Sequence, residues 1–130
     1  MPEVMATVGR APAIVATAGP STLVTCSTTS AFETVSSDPP LGLMAQAGDT
    51  LRVTLPAGWH MLHWSGFDRT TLGEGDNART GADTPDRPRQ IEVPVPNRSG
   101  DSIVGLTLFV ISADGRVVGQ LEISVVVTIR

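Results

Sequence analysis

Apolar and polar residues alternate most regularly near the C-terminus, in SIVGLTLFVISADGRVVGQLEISVVVTIR from Ser102 to Arg130. Alternation of this kind sends successive side chains to opposite faces of a strand. It is interrupted by Asp114-Gly115, and Asp-Gly between alternating apolar runs is a strong hairpin signal, with φ > 0 expected at both turn positions. A two-residue turn there sets Ala113 against Arg116. It also pairs Leu108 with Leu121, Leu106 with Ile123 and Val104 with Val125 on a single face, as a buried sheet face requires. Leu106, Leu108, Leu121 and Ile123 are therefore expected core anchors. The other face pairs Thr107 with Glu122, Gly105 with Ser124, Phe109 with Gln120 and Ile111 with Val118.

The same period recurs upstream in shorter pieces. Thr50–Leu55 alternates Leu51, Val53 and Leu55 against Arg52 and Thr54, hydrophobic in and polar out. Arg89–Val95 does so with Ile91, Val93 and Val95, and Pro94 and Pro96 mark it as an edge strand or the end of one. Leu23–Thr28, Ala31–Val35 and Leu41–Gln46 are further strand candidates, with Asp38-Pro39-Pro40 and Ala47-Gly48-Asp49 as breaks. In Trp59–Ser65, Trp64 is taken as the main packing anchor, facing inward with Leu62 and His60, which leaves Met61 and His63 outward. Residues 66–88 show no strand pattern and read as a long loop of Gly, Asp, Thr and Arg, of the kind that is often functional. Residues 1–21 are small, with one strand possible at Ala13–Thr17 and little core payload. They read as an N-terminal arm that is expected, together with the sheet surface, to bind the partner, with residues 22–130 forming the domain. The pattern predicts an all-β protein, an antiparallel β-sandwich of immunoglobulin-like or jelly-roll type with seven to nine strands. The last strand, Gly119–Ile129, is expected to offer an edge for strand addition.

Composition narrows the function classes. The chain has 130 residues, enough for one domain with a real core. Its net charge is −4, and its nine basic residues, all Arg, form no cluster. Binding to a nucleic-acid backbone needs a basic face, so no nucleic-acid partner is expected. No run approaches the roughly eighteen apolar residues of a membrane span. Glu3 and Pro12 argue against reading the N-terminus as a signal peptide, so the expected setting is cytoplasmic or within a virion. The lone Cys26 excludes an internal disulfide and reads as a buried thiol.

Candidate chemistry is sparse. Trp59-His60-x-x-His63-Trp64 is the densest cluster. On a regular strand, however, an odd separation sends His60 and His63 to opposite faces, so they share a metal only if a bulge intervenes. Asp68, Glu74, Asp76, Asp83 and Asp86 give the 66–88 loop acidic character, without the EF-hand spacing that calcium would favour. No serine lies in a nucleophile-elbow motif, and Gly73-x-Gly75 opens no helix that would cradle a phosphate. The sequence thus predicts no enzyme, no cofactor and no metal site. What remains is the outer corner of the hairpin, where Phe109, Ile111 and Val118 would meet water beside Met61 and His63. These five residues form the expected interface with a protein partner, by self-association or within a larger assembly.

Four turn-and-strand motifs carry a resemblance: Gly48-Asp49-x-Leu51-x-Val53, Trp64-x-Gly66, Val93-Pro94-Val95-Pro96 and Asp114-Gly115-x-x-x-Gly119. Through them, roughly residues 41–128 resemble immunoglobulin-like β-sandwich modules of phage virion proteins and bacterial conflict-system proteins. The resemblance implies a sandwich fold and a non-enzymatic structural role, with capsid decoration or a minor capsid or tail subunit as the expected form. It carries no catalytic residue. The alternatives are a ligand-sensing or adaptor module of a conflict system, or a carbohydrate-binding module using Trp59, Trp64 and the loop.

Overall fold

The computed structural model describes residues 3–9, 12–25, 29–32, 42–70, 77–83, 86–95 and 99–130. Within them the chain forms β1 (Met5–Val8), β2 (Ile14–Val15), β3 (Thr17–Ala18), β4 (Ser21–Val24), β5 (Thr29–Phe32) and β6 (Gly42–Ala45). It continues through β7 (Thr50–Thr54), β8 (Trp59–Thr70), β9 (Asn77–Asp83), β10 (Gln90–Pro94), β11 (Gly100–Ser112) and β12 (Val118–Ile129). The fold is an all-β sandwich. A four-stranded sheet in the order β10-β7-β1-β2 faces a larger sheet in the order β5-β4-β12-β11-β8-β9, with β3 and β6 also paired to β12. All pairings are antiparallel except that of β6 with β12. Apart from the two-residue pairings β2 and β3 and the unexpected β9, nine strands remain among the described residues, within the expected seven to nine.

The core forms where the inner faces meet. Leu51, Val53, Leu55, Ile91, Val93 and Val95 from the small sheet side are buried against Val104, Leu106, Leu108, Leu121, Ile123 and Val125 from the hairpin. Full burial of each such aliphatic side chain stabilises the fold by about 1.5–3 kcal/mol. Leu106, Leu108, Leu121 and Ile123 are thus core anchors, as the alternation predicts. Trp64 is only half-buried and packs on the rim of this cluster.

Several expectations are corrected. Residues 1–21 do carry core payload: Val4, Ala6, Val8 and Ala16 are buried, and β1 lies inside the small sheet, between β7 and β2. The short alternation of Val4, Ala6 and Val8 was masked by its small side chains. Residues 66–88 are not one long loop, since β8 runs on to Thr70 and β9 returns beside it. Their polar composition suits a strand at the sheet edge, where β9 sits. Strand β12 offers no free edge over most of its length, because it lies between β11 and the segments β3, β4 and β6. Strand β10 is an edge strand, as Pro94 requires. Cys26, Glu74 and Asp76 lie outside the described residues.

The hairpin register is the predicted one through all its pairs, from Gly100↔Ile129 to Ile111↔Val118. The turn that closes it is different. Ser112 N donates to Val117 O (2.8 Å) and Gly115 N to Ser112 O (2.9 Å), so the loop spans residues 113–116. Only Gly115 has positive φ, at 73°, and Asp114 does not. This is the geometry of a longer hairpin loop built on a tight turn with glycine at its fourth position. Widening the loop by one residue on each side leaves the register unchanged, which is why the pairing held.

Candidate binding surface

The outer corner of the large sheet is set by how β8 meets β11. From Ser102↔Thr70 to Phe109↔His63 the two strands stay in step; then Val110 pairs with Met61 and Ile111 with His60. Leu62 is the extra residue of a β-bulge. A regular strand anchored by Trp64 would bury His60 and expose Met61. With one residue inserted, the thioether goes inside and the imidazole out, which avoids the cost of burying a polar ring. Met61 is accordingly fully buried at 0% exposure. Its expected place in the interface is therefore corrected, as is the inward orientation of Leu62 and His60.

The bulge brings a specific set of side chains to one face. His63 lies opposite Phe109, their ring centroids 5.6 Å apart and the planes tilted by 59°. Ile111 sits between His60 on β8 and Val118 on β12. Phe109, Ile111 and His63 are half-buried, and Val118 is 42% exposed. Four of the five expected interface residues therefore share this corner. The structure adds Val24, 38% exposed and paired directly with Val118, and Leu62, which lines the same groove. That groove, about 360 Å³, runs between Thr22, Val24, Leu62, Phe109, Val118 and Gln120. Val24 was visible as a strand residue, but its pairing with a strand almost a hundred positions away has no local signature. Close packing at this corner depends on Gly119, where a Cβ would collide with the Leu23 side chain and meet Thr22 O at 3.0 Å.

The flank of β8 is held by residues 86–89. Met61 N donates to Pro88 O (2.7 Å) and Leu55 N to Arg89 O (2.8 Å). Arg87 adopts φ 48°, unique among the described non-glycine residues. Its carbonyl oxygen lies 3.0 Å from His60 Nδ1. A carbonyl can only accept, so Nδ1 carries the proton of that bond. Asp86 is exposed on the same segment. Among the described residues, no three His, Cys, Asp or Glu side chains converge as a metal site. Trp59 and Trp64 are both half-buried and pack against the core.

The turn at the end of the hairpin is also ordered by polar contacts. Asp114 Oδ1 accepts from Ser112 Oγ (2.6 Å) and from Arg116 N (3.0 Å), while Ser112 Oγ accepts from Val117 N (3.0 Å). The Ser112 hydroxyl, then the Arg116 amide, hold the Asp114 carboxyl below its usual value of 3.8.

No family model and no curated protein matches this chain. Among solved structures, CopC from Methylosinus trichosporium OB3b is similar at 18% identity and TM-score 0.48, covering 73% of this chain and 89% of that one. An AA10 LPMO from Photorhabdus luminescens is similar at 13% identity and TM-score 0.44, covering 68% of this chain and 57% of that one, so the likeness spans little more than half of the LPMO chain. At this distance neither likeness bears on the chemistry of the corner at Phe109 and Val118.

Proposed function

We propose that this chain is a non-enzymatic structural subunit that packs against other protein subunits, copies of itself first among them, through the outer corner of its large sheet. The carrying observation is the exposure of Val24 and Val118 side by side above a groove floored by Leu62 and Phe109. A ridge and a groove within one patch are what a self-complementary two-fold contact uses, and exposed apolar patches of this kind are typical of interaction sites. The narrower reading, a subunit of a phage virion, draws its support from the sequence resemblance alone.

Analytical ultracentrifugation over a concentration series tests the reading. The wild type is expected to self-associate by about 100 μM, the range of a modest apolar contact, and Val118→Asp is expected to remain monomeric with an unchanged melting temperature. A strictly monomeric wild type, or association that Val118→Asp leaves intact, overturns it.

A further inference from the structure

We propose that His60 and His63 form a two-histidine site for a divalent transition-metal ion of the zinc and nickel class, open to water on the outer face of β8. The site adjoins the docking corner and shares His63 with it, but its argument rests on the bulge rather than on the groove. On a regular strand, residues three apart point to opposite faces. The extra residue at Leu62 restores them to one face, with His60 opposite Ile111 and His63 opposite Phe109. Ile111 and Phe109 are two residues apart on β11, which spaces the histidine positions by roughly 7 Å along the strand. That is the same-face placement by which two imidazoles on one strand reach a common ion.

Two further contacts prepare the pair. His60 donates its Nδ1 proton to Arg87 O at 3.0 Å, which leaves the lone pair of the neutral ring on Nε2. A second-shell carbonyl that takes the other ring proton is the usual companion of a ligating histidine, fixing both tautomer and ring direction. The carbonyl belongs to Arg87, whose left-handed backbone is sterically strained for a residue with a side chain. His63 is oriented by the tilted contact of its ring with Phe109. Imidazole nitrogens favour zinc, nickel and copper over magnesium and calcium. With two protein ligands, water fills the remaining positions, so the site exchanges its ion and leaves coordination positions open to a further ligand.

The chain contains only two histidines, so the ring signals identify the site directly. Full-length protein is titrated with Zn(II), and separately with Ni(II) and Mg(II), by calorimetry, while the histidine ring resonances are followed by NMR. The expected result is one Zn(II) or Ni(II) per chain, no response to Mg(II), and ring shifts at both histidines with Nε2 as the bound atom of His60. His60→Ala and His63→Ala should each weaken binding at least about tenfold, because one imidazole cannot chelate. Both variants are on the outer face, and their melting temperatures show that the fold is retained. Zinc binding that either variant leaves intact overturns the proposal, as do ring signals that stay unmoved or only one ring responding. Because the Zn(II) measurement reads ring signals and Val118→Asp reads mass, failure of the metal site and failure of the docking surface are separate outcomes.

Discussion

Along one side of β11, strand β12 keeps register through twelve successive residue pairs, from Gly100↔Ile129 to Ile111↔Val118. Along the other side, β8 follows β11 from Ser102 as far as Phe109 and then slips by one residue. The same strand therefore has one neighbour that obeys strict alternation and one that does not. The hairpin partner is tied by a short connection whose loop fixes the pairing. Strand β8 arrives from a distant part of the chain and can absorb an inserted residue if the exchange improves what is buried. Here the insertion moves Met61 into the core and His60 out of it, to the face that His63 already occupies. A bulge is a change of face for everything beyond it, so one residue decides whether the outer corner holds a thioether or a pair of imidazoles.

The sharpest way to break that comparison is to place a charge at the two positions whose faces the bulge decides. Met61→Lys puts an unpaired ammonium into a fully buried site. It is expected to destabilise the protein by at least about 3 kcal/mol, with loss of the native state by thermal or denaturant unfolding. His60→Lys, on the outer face because of the bulge, is expected to change stability by less than about 1 kcal/mol. A regular β8 demands the opposite ranking, so equal or reversed effects would remove the bulge.

A smaller effect is expected where β8 is still in step with β11. Gly66 lies opposite Leu106, and a Cβ there would come within 2.5 Å of Leu106 Cδ2 and 2.8 Å of Gly105 O. The leucine can turn aside but the backbone oxygen cannot. Gly66→Ala should therefore cost about 1–3 kcal/mol, the usual penalty of overpacking, in chemical denaturation. Ser65→Ala, one position away on the other face, should fall within about 0.5 kcal/mol of the wild type.

What was legible in the sequence follows the same division. The alternation of Leu106, Leu108, Leu121 and Ile123 on a hairpin, and of Leu51 and Val53 on β7 with Leu55 just beyond it, named their own faces because each strand is regular and half-buried. The Trp59–Trp64 run did not, since Met61 and Leu62 are adjacent apolar residues and either can be the inward one. Only the long-range pairing with β11 chooses between them. Val4, Ala6 and Val8 escaped notice because small side chains give a weak periodic signal, although they fill a strand in the middle of the small sheet. Residues 66–70 and 77–83 show no regular alternation of apolar and polar positions, yet pair as β8 and β9, because a ladder of backbone hydrogen bonds does not itself require one. The binding corner was half legible: Phe109, Ile111 and Val118 follow from the hairpin register, whereas Val24 joins them through β4, whose pairing no local motif encodes.

The smallest expected effect lies in the loop that keeps the β11–β12 register, the regular half of the comparison. Asp114 is fully exposed there, yet its carboxylate accepts from Ser112 Oγ and Arg116 N and is held below its usual value of 3.8. A carboxyl whose folded value is depressed contributes stability above its unfolded value and loses that contribution as the pH falls through the folded one. In Asp114→Asn the amide oxygen can still accept both hydrogen bonds, so the substitution isolates the charge. Wild type and Asp114→Asn should therefore differ slightly in melting temperature, by a constant amount at neutral pH, and the difference should close as the pH falls from about 3.8 downward. In both proteins the Ile111↔Val118 cross-strand contacts should persist by NMR across that range. Loss of those contacts in Asp114→Asn at neutral pH would mean that the carboxylate charge, rather than the strand pattern, sets the hairpin register.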